Sequence, residues 1–266
     1  MIIDMKDKLD LTDVTFLIPV RLDSTTRIEN LLMVLDFLHY NFNTNIHILE
    51  ASSYCNNILL KLLHEKISYD FVEDYDPIFH RTKYINLMVK DCNSPFVAVW
   101  DADVIVPIEQ IITSVQWLRK KNTDFVSPYK NKFLDTTYIL RELYLKTRDI
   151  QMLLRNENKM TAMYTPNPVG GVFFVNRTKY IKAGMENEYF YGWGREDGDR
   201  INRWVILGFI YKRVDGPLFH FTHDRGINSS FHSPEQDNIK YAEIIRILAM
   251  SKRELTTEIE AWNGER

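Results

Sequence analysis

Phe96-Val97-Ala98-Val99-Trp100-Asp101-Ala102-Asp103 is the stretch that decides the fold of this chain. Its first five residues form a continuous apolar run, which predicts a strand buried on both faces of a sheet. The carboxylates of Asp101 and Asp103 follow at the end of that strand, with one small residue between them. Mg²⁺ and Mn²⁺ are commonly bound through one or two carboxylates together with substrate phosphates. The stretch therefore indicates a central strand that leads into a metal-binding turn, although a short Asp-x-Asp alone fits a solvated loop equally well.

Apolar strands and amphipathic helices alternate on the N-terminal side of this stretch. The apolar spacing predicts strands at residues 14–20, 45–50 and 70–73, and helices at residues 27–40, 58–66 and 81–91. This alternation is typical of an α/β fold with a mostly parallel twisted central sheet flanked by helices. Ligands of such sheets bind beyond the carboxyl ends of the strands, so we expect the chemistry there.

The C-terminal half is less regular. It predicts helices at 107–121, 134–156 and 197–207, strands at 124–127, 172–175 and 209–214, a turn at 215–217 and a helical tail at 234–262. We find no convincing linker, so we expect a single domain over 1–266. Within it we distinguish a nucleotide-binding half at about 12–106, an acceptor-binding and catalytic half at about 107–232, and a tail at 233–266.

Bulk composition excludes several classes of protein. The chain has 266 residues, a formal net charge of −3 and two cysteines, Cys55 and Cys92. This charge does not suggest a nucleic-acid partner, and two cysteines do not form a disulfide framework. Because residues 1–10 lack an apolar signal core and no apolar run is long enough to span a bilayer, we expect a cytoplasmic protein with free thiols.

Three further groups carry chemistry. His220 and His223 are spaced to converge on one metal, although such a pair is often only a packing feature. Arg21 and Arg81 follow a strand and open a helix, positions that suit a phosphate or a nucleobase. The acidic aromatic segment Tyr189-Phe190-Tyr191-Gly192-Trp193-Gly194-Arg195-Glu196-Asp197-Gly198-Asp199 combines sugar-stacking rings with carboxylates for sugar hydroxyls.

These motifs, in this order, resemble the β-1,4-galactosyltransferase family. More broadly they are similar to the GT-A glycosyltransferases, which include chondroitin polymerase-like and polypeptide N-acetylgalactosaminyltransferase enzymes. The matching pieces, spread over residues 14–225, are Ile18-Pro19-Val20-Arg21, Phe79-His80-Arg81, Asp101-Ala102-Asp103, Gly170-Gly171-Val172, Gly192-Trp193-Gly194-Arg195-Glu196-Asp197 and His220-Phe221-Thr222-His223.

The resemblance implies a role for each matched position. Asp197 would be the catalytic base, and Asp103, His220 and His223 would bind Mn²⁺, or Mg²⁺ in its place. The residues that would bind the UDP-sugar donor or the acceptor are Pro19, Val20, Arg21, Phe79, Arg81, Asp101, Gly170, Gly171, Tyr191, Trp193 and Glu196. Where the family has a glycine and an acidic residue, this chain has Arg195 and Gly198, which leaves the acceptor open.

The implied activity is metal-dependent, inverting transfer of a hexose from a UDP-sugar to a saccharide or glycolipid acceptor. Galactose and N-acetylgalactosamine are the favoured sugars, and surface polysaccharide or glycoconjugate synthesis is the favoured role. With a lipid-linked acceptor, the protein would contact the inner membrane face peripherally. Residues 184–194 are expected to form a lid. The alternatives are a non-catalytic carbohydrate-binding protein and a nucleotidyltransferase, although the latter normally has a glycine-rich loop where this chain has Arg21-Leu22-Asp23-Ser24-Thr25-Thr26.

Overall fold

The computed structural model describes residues 8–55 and 57–265 of the chain. The strands are β1 (Leu9–Val20), β2 (Phe42–Ser52), β3 (Ile67–Glu73), β4 (Phe96–Trp100), β5 (Val104–Ile105), β6 (Phe125–Ser127), β7 (Asn131–Asp135), β8 (Thr161–Met163), β9 (Val172–Asn176), β10 (Tyr211–Arg213) and β11 (Gly216–His220). The α-helices are α1 (Thr25–Asn41), α2 (Asn57–Leu62), α3 (Arg81–Asp91), α4 (Ile108–Arg119), α5 (Tyr138–Thr147), α6 (Ile150–Arg155), α7 (Arg177–Lys182), α8 (Glu196–Leu207), α9 (Pro234–Leu248) and α10 (Lys252–Glu265).

A seven-stranded sheet forms the centre of the molecule, in the order β10-β6-β9-β4-β1-β2-β3. β1 pairs in parallel with β2 and with β4, and β2 pairs in parallel with β3. The strand β9 runs antiparallel to both of its neighbours, β4 and β6, while β10 is parallel to β6. The predicted α/β fold with a mostly parallel central sheet is therefore confirmed, with one reversed strand.

Both faces of the central sheet are covered, as the unbroken apolar run of β4 predicts. Ala98 and Trp100 pack into one hydrophobic core, whereas Val97 and Val99 pack into a second core. Because neighbouring residues of a strand point to opposite faces, the two cores lie on the two sides of the sheet.

A second sheet was not predicted from the sequence. It has four strands in the order β5-β11-β7-β8, and β11 is antiparallel to β5 but parallel to β7. The pairing places His220 opposite Val104 on one side and opposite Asp135 on the other. The second sheet therefore brings the C-terminal histidines to the end of β4.

The prediction of one long helix over residues 134–156 is wrong. The segment begins in β7 and continues as α5 and α6. The Thr137 side chain caps α5 by accepting from the Leu140 N–H, and Arg148, in the left-handed region at φ 55°, ends it. Asp149 then caps α6 by accepting from the Gln151 N–H. Cap residues therefore divide a stretch whose apolar spacing alone is continuous.

Two smaller predictions also differ from the structure. Residues 215–217 were predicted as a turn, but Gly216 and Pro217 begin β11, with Gly216 at φ 133°. The predicted tail helix is two helices, α9 and α10. Cys55 and Cys92 are free thiols. Across the described ranges, no helix combines the length and the apolar character needed to cross a membrane.

Candidate functional site

A cleft of about 450 Å³ opens beyond the carboxyl ends of β1 and β4. β9, antiparallel to β4, begins beside the end of β4, and the Asp101 N–H donates to the Gly171 carbonyl at 2.9 Å. The predicted site residues that line the cleft are Pro19, Val20, Arg21, Phe79, Arg81, Asp101, Asp103, Gly170, Gly171, Trp193, Glu196, Asp197, His220 and His223. Tyr191 is outside this lining, and its hydroxyl donates to the Asp76 carboxylate at 2.6 Å.

Asp103, His220 and His223 converge at one end of the cleft. The Asp103 Oδ2 atom lies 3.1 Å from Nε2 of His223 and 3.6 Å from Nε2 of His220. One ligand atom from each of the three residues lies within 4.8 Å of the others, a spacing that can hold a metal ion. The predicted metal ligands, separated by more than a hundred residues in the chain, are thus brought together.

Hydrogen bonds to the outer ring nitrogens orient both imidazoles. The Nδ1 atom of His223 donates to the Asp224 carbonyl at 2.8 Å, and Nδ1 of His220 donates to the Asp135 carboxylate at 2.7 Å. Each bond leaves Nε2 directed at Asp103, which is the arrangement by which proteins orient metal-binding histidines. Asp135 was missed because residues 134–156 were predicted as helix, whereas the residue ends β7 beside β11.

Neighbouring charges shift the pKa values of His220 and Asp103. Burial disfavours a protonated His220, but the Asp103 and Asp135 carboxylates outweigh burial and raise its pKa to about 9. Burial likewise disfavours an ionised Asp103, yet the two imidazoles hold the pKa of this carboxyl well below its usual range. The Asp103 carboxylate thus remains an anionic ligand. When no cation is bound, His220 carries a proton, and a cation that binds would displace this proton.

Arg81 and Asp101 form an ion pair beside the metal-ligand group. Arg81 is the first residue of α3, and its Nη2 atom donates to Oδ1 of Asp101 at 2.5 Å. The Nη1 atom of Arg81 is buried and has no hydrogen-bond partner within the described part of the chain. Since this residue lines the cleft, its guanidinium brings positive charge to the wall that an anionic ligand would contact.

Arg21 and Phe79 form another part of the cleft wall. Arg21 donates from Nε to the Ala51 carbonyl at 2.8 Å and from Nη2 to Asp74 at 2.5 Å, so it holds the loop after β3. Its guanidinium lies 5.4 Å from the Phe79 ring centroid, and that ring stacks on Tyr84 at 5.4 Å. The hydrogen bonds of Arg21 therefore give it a structural role in the cleft wall, and its charge is already paired with Asp74.

The acidic motif enters the cleft at the start of α8. Arg195 at φ 73° turns the chain, and Glu196 and Asp197 are the first two residues of the helix. Oδ1 of Asp197 accepts a hydrogen bond from Arg200 at 2.5 Å, while Oδ2 lies 2.4 Å from the position that a Cβ on Gly170 would occupy. Asp197 therefore lies against Gly170, two residues before β9, at the wall of the cleft.

Two aromatic rings border the acidic motif. Trp193 packs edge-on against Phe231, with 5.1 Å between the ring centroids. A Cβ on Gly194 would lie 2.7 Å from the Phe231 ring, so glycine permits this close approach. The Lys240 ammonium donates to the Trp193 carbonyl at 2.7 Å. Phe231 and Lys240 lie outside every motif, which is why sequence reasoning missed them.

Glu196 is a buried carboxyl in the wall of the cleft, and one of its oxygens is unpaired. Its Oε2 atom has no hydrogen-bond partner among the described residues. Burial, and next the Asp197 carboxylate, raise the pKa of Glu196 to about 7, although Arg81 opposes the shift. A neutral and a charged form are therefore both present near neutrality, and the free oxygen suits a sugar hydroxyl.

Replacing Glu196 by glutamine should stabilise the ligand-free protein at high pH. The raised pKa of Glu196 stabilises the fold below about pH 4.5, and that contribution is lost as the pH rises through about 7. In urea unfolding experiments, the free energy of unfolding of Glu196→Gln minus that of wild type should increase by about 2–3 kcal/mol when the pH is raised from about 4.5 to 8. A difference between the two proteins that is independent of pH would contradict this assignment.

Comparisons with known proteins agree with the geometry. Residues 153–224 match the family model described as the N-terminal domain of galactosyltransferase, and these residues include Gly170, Asp197 and His223. No curated protein sequence matches the chain.

Solved structures share the fold at low identity. The catalytic domain of Drosophila β1,4-galactosyltransferase 7 in complex with xylobiose has a TM-score of 0.55 and 14% identity, covering 88% of this chain and 79% of that one. A mutant of the same enzyme, in complex with manganese, UDP-Gal and xylobiose, has a TM-score of 0.54 and 13% identity over 87% and 79%. Glucosyl-3-phosphoglycerate synthase from Mycobacterium tuberculosis, in complex with Mn²⁺, UDP and phosphoglyceric acid, has a TM-score of 0.51 and 14% identity over 88% and 76%. The predicted GT-A fold and the resemblance to galactosyltransferases are thereby confirmed.

Proposed function

We propose that this chain is a metal-dependent, inverting glycosyltransferase that moves a hexose from a UDP-sugar to a saccharide or glycolipid hydroxyl. The observation that carries the proposal is the convergence of Asp103, His220 and His223 in the same cleft as Asp197. Galactose and N-acetylgalactosamine are the favoured sugars, because the matched family model is that of galactosyltransferases.

The metal-ligand group fits a divalent cation such as Mn²⁺, or Mg²⁺ in its place. Asp103 supplies an anionic oxygen, and each histidine presents Nε2 while its Nδ1 is engaged elsewhere. A cation bound there would supply positive charge for a diphosphate. Arg81, with its unpaired Nη1 atom, is placed to add a second positive charge to the same leaving group.

Asp197 is the proposed general base. An acceptor hydroxyl has a pKa far above neutrality, so it needs a proton acceptor as its oxygen attacks the anomeric carbon. Asp197 takes that proton, the new C–O bond forms, and the bond from the anomeric carbon to the β-phosphate oxygen breaks to release UDP. Attack from the side opposite the leaving group converts an α-linked donor into a β-linked product.

The neighbouring residues suit a saccharide. Trp193 and Phe231 offer apolar ring surface, and Glu196 has one buried carboxyl oxygen without a hydrogen-bond partner among the described residues. Of the expected lid over residues 184–194, Met185, Glu186 and Asn187 are buried in the interior, so we propose a lid limited to the part around Tyr189 and Tyr191. The hydrogen bond from Tyr191 to Asp76 ties that part to the loop after β3. The free thiols of Cys55 and Cys92 support a cytoplasmic location, where a lipid-linked acceptor for surface polysaccharide synthesis would be met at the inner membrane face.

A panel of UDP-sugars tests the function. We expect Mn²⁺-dependent release of UDP from one sugar, with UDP-galactose or UDP-N-acetylgalactosamine ahead of UDP-N-acetylglucosamine and UDP-glucose. Binding without release would support the carbohydrate-binding alternative. Formation of a nucleotide sugar and pyrophosphate from UTP and a sugar phosphate would support the nucleotidyltransferase alternative.

Gly170→Ala should impair transfer by displacing the base. Its Cβ would lie 2.4 Å from Oδ2 of Asp197, so the carboxylate must move. A displacement of about 1 Å at a reacting group can cost about 10²-fold in rate, and we expect a loss of that order in kcat. The matched control is Gly198→Ala, because among the described residues no atom beyond its chain neighbours and its own helix backbone lies within 4 Å of the added Cβ. Equal UDP-release rates for the two variants would contradict the close approach of Asp197 to Gly170.

A further inference from the structure

A buried arginine one turn into α8 connects the proposed base to the interior. The Arg200 side chain is 1% exposed, and its Nε atom donates to Oε1 of Glu186 at 2.7 Å. Its Nη2 atom donates to Oδ1 of Asp197 at 2.5 Å. One guanidinium thus bridges a fully buried carboxylate and the carboxylate that faces the cleft.

Glu186 is itself fixed at several atoms. Its backbone N–H donates to Oδ1 of Asn86 at 2.8 Å, and its carbonyl accepts from Nδ2 of the same asparagine at 2.9 Å. The Tyr180 hydroxyl donates to Oε1 of Glu186. The Arg200 guanidinium also lies 4.0 Å from the ring centroid of Phe173, a residue of β9. The hydrogen bond to Glu186 and the packing against Phe173 therefore fix the position of the Arg200 guanidinium.

The two oxygens of Asp197 differ as a result. Oδ1 is occupied by Arg200, whereas Oδ2 is the carboxylate atom nearest to Gly170 at the cleft wall. Within the described part of the chain, Oδ2 accepts no hydrogen bond. A carboxylate held through one oxygen can present the other in a fixed direction, and such support by surrounding residues is what keeps a reacting group in place.

We propose that Arg200, held by Glu186, is a positioning residue that anchors Oδ1 of Asp197 and leaves Oδ2 as the atom that takes the acceptor proton. The inference rests on the proposed function, since it assigns the working atom of that same base. Arg200 is not among the residues that line the cleft. It acts through Asp197.

Arg203 provides a matched comparison on the same helix. It is also fully buried, and its Nε atom donates to Oδ2 of Asp199 at 2.8 Å. Asp199, the last carboxylate of the acidic aromatic segment, is therefore paired in the interior and does not line the cleft. Its other nitrogens donate to the carbonyls of Ala183 and Met185. The two arginines thus share their helix, their burial and a buried carboxylate partner, but only Arg200 contacts Asp197.

The test compares two double variants. Arg200→Met with Glu186→Gln removes the anchor without leaving a buried carboxylate unpaired, and Arg203→Met with Asp199→Asn makes the same change one turn later. Each full-length protein is assayed for UDP release and for UDP binding by calorimetry with Mn²⁺, and its folding is checked by circular dichroism and thermal unfolding.

We expect the Arg200 double variant to lose about 10²-fold in kcat, because Asp197 is no longer held, with donor KM and UDP affinity near wild type. The Arg203 double variant should keep kcat near wild type even where its melting temperature falls equally. Equal losses of kcat in both variants, or a retained kcat in the Arg200 variant, would overturn the positioning role. Wild-type protein that releases no UDP from any donor would instead refute the proposed function.

Discussion

Asp197→Asn is expected to reduce UDP release and transfer by about 10²–10⁴-fold while donor binding stays near wild type. Asparagine has nearly the shape of aspartate but cannot accept the acceptor proton. Asp197 is not part of the metal-ligand group formed by Asp103, His220 and His223, so the diphosphate site should be intact. Steady-state kinetics give the loss in kcat, and calorimetry with UDP and Mn²⁺ gives the affinity.

The exposed Asp215 offers a control for the loss of one carboxylate charge. Its side chain is 91% exposed, and it pairs only at 3.5 Å with Lys130. Asp215→Asn should therefore be indistinguishable from wild type in every assay. Near-normal transfer by Asp197→Asn would remove Asp197 as the base and would turn attention to Glu196, the other carboxyl at the start of α8.

Removal of the metal should abolish activity. A chelator is expected to lower UDP release to below about 1% of the starting rate, since the leaving diphosphate then lacks its main source of positive charge. Added Mn²⁺ should restore the rate. Asp103→Ala removes the only carboxylate of the metal-ligand group, so this variant should stay inactive at Mn²⁺ concentrations that saturate wild type.

A substitution at Asp135 should weaken metal binding without abolishing it. Its carboxylate holds His220 but lies outside the ligand set, so Asp135→Asn should weaken Mn²⁺ binding by about 10–100-fold and leave kcat near wild type at saturating metal. Activity that is indifferent to chelator would contradict the assignment of all three ligands.

The first half of the fold was predictable because its signals are local. An unbroken apolar run predicts β4, and the structure has that strand at the predicted residues, Phe96–Trp100. Helical spacing likewise predicts α3 at Arg81–Asp91. Because strands that run in parallel end at one edge, Arg21, Asp101 and Asp103 could be expected there from the sequence alone.

Long-range pairing limited the rest. The second sheet depends on β5, a strand of two residues, and on β11, which begins with the turn-like pair Gly216-Pro217. Neither has a period that a pattern search detects. Asp135 and Arg200 were missed for a related reason, because their importance comes from the residues that they contact rather than from any spacing in the chain.

Cleavage of the donor in ¹⁸O-labelled water tests the central claim most directly. Wild-type protein is incubated with the preferred UDP-hexose and Mn²⁺ without acceptor, and the products are analysed by mass spectrometry. Attack at the anomeric carbon predicts UDP that carries no ¹⁸O, released with free hexose and only in the presence of metal. Label in a phosphate product, or release of UMP and sugar phosphate, would place the attack on phosphorus and contradict a glycosyltransferase.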